Sequence, residues 1–311
     1  MFMIKNNLLF FCIFVIINFS KCGFRGRRFS NRIGYSALIK FPDDEFDNLF
    51  CGGSFISPNI VLTAGHCIDE KKIKNTSVYF SHEVSTYIPI NKETNDFNFR
   101  DVTFKSNIKK YVKMFEGEYI DPQKPHTNDI GLLFLNESVK MCVEKKSFMI
   151  ASLPFDLTTG KEYLTSEEII MKKKMIVTGN GYNEKGEIDD EAKLIVMFNR
   201  PELIKNKYFG KNESYLSFKN LVGFPAISKG DSGSSLIMWK NNIPYIVGVS
   251  SRGSKLNVSE YISNEFVFLL SPNVKKFLIN NLKDSDLSIY KKMCYNHFKE
   301  LSASQIINLK Y

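Results

Sequence analysis

A short glycine-flanked segment places one serine where it can act as a nucleophile. Residues 229–238 read KGDSGSSLIM, so Ser232 sits in a turn that leads directly into an apolar, strand-like run. Such a turn exposes a hydroxyl at the edge of a packed core. The N–H groups of Gly230 and Ser232 can point together at the oxygen of a carbonyl under attack. An ordinary Gly-Asp-Ser-Gly turn has the same pattern, so the segment alone leaves both interpretations open.

Two further segments supply the partners that a serine nucleophile requires. Residues 51–67 read CGGSFISPNIVLTAGHC and place His66 just after an apolar run. Residues 128–135 read NDIGLLFL and place Asp129 immediately before another apolar run. A histidine can take the proton of a serine, and a carboxylate can orient the imidazole and stabilise its charge. Each residue alone is more often structural, but the three in the chain order His, Asp, Ser indicate acyl transfer.

These three segments resemble those of the trypsin/chymotrypsin-like serine proteases, and the resemblance covers roughly residues 24–282. It implies that Ser232 is the nucleophile, that His66 is the general acid–base and that Asp129 orients the imidazole. The amides of Gly230 and Ser232 would form the oxyanion hole. The implied fold is all-β, with two packed six-stranded antiparallel β-barrels, a cleft between them and a C-terminal α-helix. The resemblance implies no cofactor.

The rest of the chain has the strand and turn pattern that this fold requires. Short β-branched and aromatic runs alternate with Asn, Gly, Asp and Lys turns, which indicates an all-β protein. Apolar residues at helical spacing predict one helix over residues 272–282. Residues 91–124 are polar and longer than the resemblance implies, which predicts a surface insertion beside the cleft. The predicted strands span residues 77–80, 130–135, 174–179, 193–198, 235–239 and 245–250.

Composition bounds the class of protein. The chain has 311 residues, of which 43% are hydrophobic, and this suffices for a substantial core. The net charge is +9, but its 42 Lys and Arg residues are scattered and form no basic helix or aromatic–basic repeat. This distribution argues against a nucleic-acid partner and indicates a solvated basic surface. None of the cysteine spacings resembles a zinc site, so we expect no metal.

The first 22 residues are predicted to be a secretory signal peptide. Lys5 lies in the short basic region, and residues 8–17 form an apolar run of about ten residues, too short to span a bilayer. Cleavage after Cys22 is favoured, with cuts after Ser20 or Gly23 as alternatives. Residues 23–283 would then form the protease domain and residues 284–311 a C-terminal extension. We expect a secreted, extracellular monomer without a membrane span, whose partners are protein or peptide substrates and protein protease inhibitors.

Cysteines and sequons fit an extracellular protein. Outside the signal peptide, an even number of cysteines remains: Cys51, Cys67, Cys142 and Cys294. The resemblance implies a Cys51–Cys67 bridge and leaves the other two as a second pair, for which a retained Cys22 would compete. Four Asn-X-Ser/Thr sequons are candidate glycosylation sites: Asn75, Asn136, Asn212 and Asn257.

The segment before the nucleophile departs from the family pattern. Ser228 occupies a position that usually holds a cysteine bracing the specificity pocket, which predicts a less braced pocket wall. Asp231 corresponds to the acceptor of the N-terminal ammonium that activation cleavage releases. Residues 24–27, FRGR, match the family's activation sequence only loosely. A chain trimmed near Gly23 by signal peptidase would need no separate activation step.

The floor of the substrate pocket predicts an uncharged specificity. The resemblance places Ala226 at the position that determines specificity, followed by Ile227. A cation there would lose its hydration without gaining a partner, so cleavage after an apolar residue is favoured over cleavage after Lys or Arg. The loop alignment leaves open whether Glu265 or Phe266 lies on the pocket wall. A carboxylate at that point would restore the basic specificity.

Ser251, Arg252 and Gly253 resemble the edge strand that pairs with the substrate backbone. Arg252 replaces the usual aromatic residue, which favours acidic residues upstream of the scissile bond. An arginine directed to solvent is the alternative. The departures at Ser228 and Arg252, together with the C-terminal extension, support a second hypothesis: a protease-like regulatory or binding protein with little or no catalytic activity.

Overall fold

The structure, a computed structural model, consists mainly of antiparallel strands. It describes residues 27–28, 35–42, 50–81, 87–88, 98–99, 102–114, 128–139, 150–172, 174–179, 181, 193–197, 200–205, 214–221, 226–241, 243–253 and 261–283. The predicted signal peptide, the C-terminal extension, Cys142 and Cys294 lie outside these residues. In the part of the chain that the structure describes, no helix has the length and apolarity needed to cross a membrane.

Sixteen strands and two α-helices make up the described chain. The helices are α1 (Ser166–Ile170) and α2 (Pro272–Asn281), and short 3-10 helices span Gly65–Cys67 and Ile73–Asn75. The strands are β1 (Arg27–Arg28), β2 (Ser36–Lys40), β3 (Phe50–Ser57), β4 (Ile60–Thr63), β5 (Ser77–Ser81), β6 (Tyr87–Ile88), β7 (Asn98–Phe99), β8 (Val102–Lys113), β9 (Gly131–Leu135), β10 (Met175–Gly179), β11 (Lys193–Met197), β12 (Glu202–Lys205), β13 (Ser214–Leu221), β14 (Ser235–Lys240), β15 (Ile243–Gly253) and β16 (Tyr261–Phe268).

Six strands of the first half close into a barrel in the order β2-β3-β4-β9-β8-β5. Phe55 and Phe80 are fully buried inside it and meet edge to face, with their ring centroids 5.7 Å apart. The register of β4 against β9 pairs Thr63 with Gly131. The end of one strand therefore lies beside the start of the other, and this juxtaposition brings the segments that carry the predicted histidine and aspartate together.

The second half is an antiparallel sheet with strand order β1-β11-β10-β14-β15-β16-β13-β12. Its six inner strands correspond to the expected second barrel, and the short strands β1 and β12 are added at the two ends. Phe218 and Phe266 are both fully buried and meet edge to face, with their ring centroids 5.7 Å apart. The helix α2 begins with Pro272, which is favourable at a first helical position. The predicted all-β class and the C-terminal helix are confirmed.

The predicted surface insertion over residues 91–124 is wrong for its central part. The strand β8 pairs with β5 on one side and with β9 on the other, so residues 102–113 form part of the barrel wall. Lys105 and Lys109 are exposed, whereas Ser106 between them is buried. Lysines on the solvent-facing positions give this strand the composition of a loop, although its alternate residues face inward.

The strand over residues 235–240 and its neighbour over residues 175–179 share an apolar contact surface. Met175 and Met238 are both buried in the core of the second half. The register pairs Ile176 with Ile237, which puts the two methionines at the adjoining position. Long, flexible thioether side chains fill such space well.

Candidate active site

His66 is held by a short turn at the rim of the barrel. The chain leaves β4 at Thr63 and forms the 3-10 helix Gly65–Cys67, whose last residue is covalently bonded to Cys51. The Cα atoms of the two cysteines lie 6.1 Å apart, within the ordinary range for a disulfide. The predicted Cys51–Cys67 bridge is confirmed. Because it fixes the residue next to His66 to β3, the imidazole is tied to the barrel from both directions.

Asp129 lies beneath the imidazole and is completely buried. One carboxylate oxygen accepts the His66 backbone N–H at 2.8 Å, and the other lies 2.7 Å from Nδ1 of the same residue. The Ser251 hydroxyl donates to this second oxygen at 2.5 Å. The preceding Asn128 has a left-handed φ of 53° and turns the chain sharply into β9. Three donors therefore hold the carboxylate against the histidine.

The two titratable groups stabilise each other's charged forms. Burial on its own would lower the pKa of His66, but the charge of Asp129 and the hydrogen bond between them raise it above the ordinary value. Burial would likewise raise the pKa of Asp129. The charge of His66 and the hydrogen bonds from His66 and Ser251 instead hold it below the usual range. The carboxylate is therefore ionised at neutral pH, and the imidazole is a stronger base than a solvated one.

Ser232 lies in a loop built from two successive turns. The Asp231 N–H donates to the carbonyl of Ser228 at 3.0 Å, and the Ser234 N–H donates to the carbonyl of Asp231 at 3.0 Å. Gly230 and Gly233 take the positive φ values of +94° and +85° that the loop requires. A side chain at either glycine would be strained, because L-residues other than glycine rarely adopt this backbone conformation.

The loop is attached directly to the first barrel. The carbonyl of Ser232 accepts the N–H of Gly52 at 2.7 Å, and the Gly233 N–H donates to the carbonyl of Ser250 at 2.7 Å. A Cβ atom at Gly233 would overlap the Thr63 hydroxyl and the Gly52 carbonyl oxygen. Ser232 is half-buried, and its carbonyl is bonded to β3. The following Gly233 is packed against Thr63 at the end of β4 and bonded to Ser250, whose neighbour Ser251 donates to Asp129.

Two amides of this loop have no acceptor among the residues that the structure describes. The N–H groups of Asp231, Gly233 and Ser234 all donate within the chain. Those of Gly230 and Ser232 make no hydrogen bond with the described residues. They are the two amides that the sequence predicts for an oxyanion hole, and an oxyanion would satisfy both.

The hydroxyl of Ser232 also has no hydrogen-bond partner among the residues described. The His66 ring, with Nδ1 directed at Asp129, presents Nε2 as the nitrogen that can accept a proton. Hydrogen bonds between a nucleophile and its base are commonly long without substrate and shorten in the substrate complex.

A second buried carboxylate, that of Asp231, lies behind the loop and is 2% exposed. One oxygen accepts the Gly181 N–H at 2.7 Å, and the other accepts the N–H and the hydroxyl of Ser228 at 2.7 and 3.0 Å. A Cβ atom at Gly179 or Gly181 would overlap this carboxylate. Ser228, for which the sequence predicts a less braced pocket wall, forms two hydrogen bonds to Asp231, the residue that precedes Ser232.

The predicted pocket floor is buried and uncharged. Ala226 is 0% and Ile227 is 4% exposed. The side-chain oxygen of Asn264, itself fully buried, accepts the Ile227 N–H at 2.8 Å, and its amide nitrogen donates to the carbonyl of Phe218 at 3.4 Å. Sequence analysis missed Asn264. Its only signal was a short polar residue within a strand that continues into the apolar run from Phe266.

The strand register separates Glu265 from this floor. Side chains alternate along β16, so Glu265 points to the opposite face from Asn264 and Phe266. It is paired across the sheet with Arg252, and Gly253 is paired with Asn264. Burial raises the pKa of Glu265, and the charge of Arg252 opposes this rise. Of the two residues that the alignment left open, Phe266 lies on the face that contacts the floor.

Three ligand-type atoms cluster beside the histidine, because those of Cys51, His66 and Cys67 lie within 4.8 Å of one another. The two sulfur atoms are joined in the disulfide and are not thiolates, which are the form that binds zinc. This cluster therefore reflects the position of the bridge rather than a metal-binding geometry.

Two of the four sequons fall on described residues. Asn75 and Asn136 are both exposed, and Asn136 lies in a turn after β9 whose next two residues are also exposed. The residue after Asn75, Thr76, is fully buried. Asn212 and Asn257 lie outside the described residues, as do the cysteines of the second predicted pair.

Comparison with known proteins agrees with this geometry. Over 118 residues the chain is 30% identical to a lectizyme of Glossina austeni, an alignment covering 38% of this chain and 37% of that protein. Over 219 residues it is 27% identical to an ovochymase of Halocynthia roretzi, covering 69% of this chain and 12% of that protein. The chain thus spans well under half the length of both relatives. Residues 26–265 match the family model described as Trypsin. Since this match takes in most of the chain, the chain belongs to the trypsin family of serine peptidases.

Proposed function

We propose that this chain is a secreted serine endopeptidase that hydrolyses peptide bonds through Ser232, His66 and Asp129. The observation that carries the proposal is the Asp129 carboxylate, which is completely buried and bonded to both the backbone and the ring of His66. Burying a charged group is unfavourable unless its partners compensate. Here the compensation fixes the tautomer and orientation that a general base requires.

The first chemical step transfers a proton from the Ser232 hydroxyl to Nε2 of His66 as the oxygen attacks the substrate carbonyl carbon. The carbonyl π electrons move to oxygen and form a tetrahedral oxyanion. The N–H groups of Gly230 and Ser232 would bind this oxygen. Asp129 would stabilise the imidazolium, because its carboxylate remains ionised.

The second step breaks the bond between carbon and nitrogen. The imidazolium donates its proton to the leaving amine, and the peptide's carboxyl-terminal part departs, which leaves an acyl ester on Ser232. A water molecule then attacks the ester carbon while His66 takes its proton. The second tetrahedral intermediate collapses, the acid product is released, and the proton returns to the serine oxygen.

Substrate preference follows from the predicted pocket. We infer that the residue before the scissile bond is uncharged, because Ala226 and Ile227 offer no counter-charge and Asn264 contributes a neutral amide. The alternation of β16 supports this inference, since it directs Glu265 away from the floor. Arg252 lies on the strand that would pair with substrate, and it favours acidic residues upstream of the cleaved bond.

Secretion is part of the same proposal. The disulfide beside His66 is of a kind that forms in oxidising compartments. The predicted signal peptide and the exposed sequons at Asn75 and Asn136 also support an extracellular protein. N-terminal sequencing of protein recovered from the medium of expressing cells tests the processing site, and the expected start is residue 23.

The activity is tested by labelling this secreted protein with a fluorophosphonate probe. We expect covalent labelling of the wild type and none of Ser232→Ala, whose fold is checked by thermal unfolding. Wild-type protein that is folded and correctly processed but does not label would contradict the proposal. It would instead favour the alternative, a protease-like protein that acts by binding.

Specificity is tested on a peptide library with all residues represented before the scissile bond. We expect cleavage after uncharged, apolar residues. The matched variant Ala226→Asp introduces a carboxylate at the floor and should shift cleavage toward Lys and Arg. Efficient cleavage after Lys or Arg by the wild type would contradict the uncharged pocket without affecting the assignment of the catalytic residues.

A further inference from the structure

We propose that Ser228 is a positioning residue for the oxyanion hole, which acts by holding the carboxylate of Asp231. This inference rests on the proposed function, because an oxyanion hole has a role only where an oxyanion forms. It assigns a purpose to a serine that stands where the family pattern has a cysteine. The residue would not contact the substrate, so its effect must pass through Asp231 to the amides of Gly230 and Ser232.

The contacts of Ser228 are directed at a single carboxylate oxygen. Its N–H lies 2.7 Å and its hydroxyl 3.0 Å from Oδ2 of Asp231. The other oxygen, Oδ1, accepts the N–H of Gly181 at 2.7 Å. Hydrogen bonds to an ionised acceptor are stronger than those between neutral groups. Three neutral donors therefore hold this buried carboxylate from two sides.

The cradle around the carboxylate leaves no space for another orientation on the glycine side. A Cβ atom at Gly179 would overlap Oδ1 of Asp231, and one at Gly181 would overlap the Ser228 hydroxyl oxygen. The Ser228 hydroxyl thus fills the space between the backbone of Gly181 and the carboxylate. It closes the cradle as well as donating a hydrogen bond.

Fixing the side chain of Asp231 also fixes the loop. Its N–H closes the first turn on the Ser228 carbonyl, and its own carbonyl accepts the N–H of Ser234 to close the second. The two amides proposed for the oxyanion hole belong to Gly230 and Ser232, the residues on either side of it. A carboxylate that moves would rotate the peptide units that carry both donors.

The opposite face of the loop is supported separately. A Cβ atom at Gly230 would lie 2.7 Å from a ring carbon of Phe50, so the glycine is packed against that ring. The loop is therefore held between an aromatic ring on one side and the carboxylate on the other. Removal of the hydroxyl removes a restraint from the carboxylate side only, which leads us to expect misaligned amides without unfolding.

The test is the kinetics of Ser232 phosphonylation by a fluorophosphonate probe, resolved into the maximal rate of labelling and the probe concentration at half-maximal rate. We expect Ser228→Ala to lower the maximal rate by roughly tenfold to a hundredfold, the effect of one hydrogen bond to a charged group. The half-maximal concentration should change little. Ser228→Thr keeps the hydroxyl and should retain most of the wild-type rate.

The matched control is Ser217→Ala. Ser217 is buried in β13 and its hydroxyl is 3.1 Å from that of Ser263, so the variant also loses one buried hydroxyl contact in the same half. We expect it to label at the wild-type rate. If Ser217→Ala slows labelling as much as Ser228→Ala does, the positioning role is overturned in favour of general destabilisation.

A double-mutant cycle decides whether Ser228 acts through Asp231. In the background of Asp231→Asn, which weakens the acceptor, Ser228→Ala should cause little further loss. Full additivity of the two losses would overturn the proposal, as would a Ser228→Ala protein that labels as fast as the wild type. A wild type that does not label at all overturns the proposed function and this inference together, so the two failures are distinguishable.

Discussion

The two halves of this protein each bury one aspartate, and the two carboxylates differ in what surrounds them. Asp129 is bonded to His66, a group that titrates near neutral pH, and to the Ser251 hydroxyl. Asp231 accepts hydrogen bonds from backbone amides and the Ser228 hydroxyl, which do not titrate there. Both are almost completely removed from water, with exposures of 0% and 2%.

The difference shows how one residue type serves two purposes. A buried carboxylate must be compensated, and the kind of partner determines what else the site can do. Where the partner is a histidine, each group shifts the pKa of the other, and the pair is suited to proton transfer. Where the carboxylate accepts hydrogen bonds from amides and a hydroxyl near the loop, it organises the backbone. The following predictions test this distinction.

The largest effect is expected at the carboxylate that faces the histidine. Asp129→Asn keeps the shape of the side chain but removes its charge and favours the wrong tautomer of His66. The rate at which Ser232 is labelled should therefore fall by about 10⁴-fold. The measurement is the second-order rate of fluorophosphonate labelling. A loss below tenfold would show that Asp129 does not orient the base.

Asp231→Asn should have the next largest effect, a loss of about 10²- to 10³-fold, comparable to the removal of an oxyanion-hole donor. The reason is displacement of the loop amides rather than a change in the base. Accordingly, the pH at which the labelling rate is half-maximal should remain that of the wild type. A clear shift in this pH would contradict the distinction between the two carboxylates.

The Cys51–Cys67 disulfide beside His66 should contribute mainly to the stability of the fold. Replacing Cys51 and Cys67 together by serine opens a loop of 16 residues and should lower the free energy of unfolding by about 3 kcal/mol. Denaturant unfolding of the variant and the wild type measures the difference. Ser228→Ala, in the other half, should cost much less, and an equal loss in both proteins would contradict this comparison.

Ser251→Ala removes one of the donors to Asp129 and should slow labelling by roughly tenfold, since a hydrogen bond to a charged group is lost. The pKa of Asp129 should rise, because that hydrogen bond helps to lower it. A pH titration of labelling, compared with that of Ser228→Ala, separates the two serines. If the labelling rates of Ser251→Ala and Ser228→Ala depend on pH in the same way, the two carboxylates do not differ in their effect on the base.

The smallest effect is the position of the acidic limb of the pH–rate profile. His66 must be neutral to accept a proton, and its pKa is raised, so the rate should fall as the pH drops through a value above the ordinary 6.5. Labelling rates measured over about two pH units on either side of neutrality check this prediction. If the rate falls only below pH 6.5, burial lowers the pKa of His66 more than the charge of Asp129 raises it.

The stability that His66 contributes changes with pH in the direction opposite to that of the labelling rate. The protonated His66 paired with Asp129 contributes stability that is fully present below the unfolded-state pKa of histidine and is lost as pH rises through the raised folded value. The lowered pKa of Asp129 contributes stability above its unfolded value, which is lost as pH falls through the folded one. The free energy of unfolding, measured over the pH range in which the labelling rate increases, should therefore show that the stabilising contribution of His66 decreases as pH rises.

Much of this architecture was predictable because local sequence and fold agree. The runs after Asp129 and after Ser232 are apolar, and the structure places β9 and β14 there within a residue or two. The helix predicted over residues 272–282 ends one residue earlier, at Asn281. Such segments bury nearly every side chain, so their hydrophobicity is visible without knowledge of their neighbours.

The rest depended on contacts between distant segments. The strand β8 resembled a loop because its solvent-facing lysines dominate the composition. Ser228 was interpreted through the cysteine it replaces, whereas its partners, Asp231 and the backbone of Gly181, are known only once the loop is folded. Asn264 was missed because strand register decides which of three consecutive polar residues faces the pocket. In each case the folded structure, and not the local sequence, decides what the side chain contacts.

The contact between the two halves limits which residues can replace the two glycines that form it. Gly52 and Gly233 face each other there, and a Cβ atom on either would overlap atoms of the opposing half. A side chain at Gly233 would be strained by the positive φ and would overlap the Gly52 carbonyl oxygen, and a side chain at Gly52 would displace the Ser234 hydroxyl. Among descendants of this chain that keep the fold, position 233 should remain glycine, position 52 should change only together with Ser234, and the lysines of β8 should vary more widely.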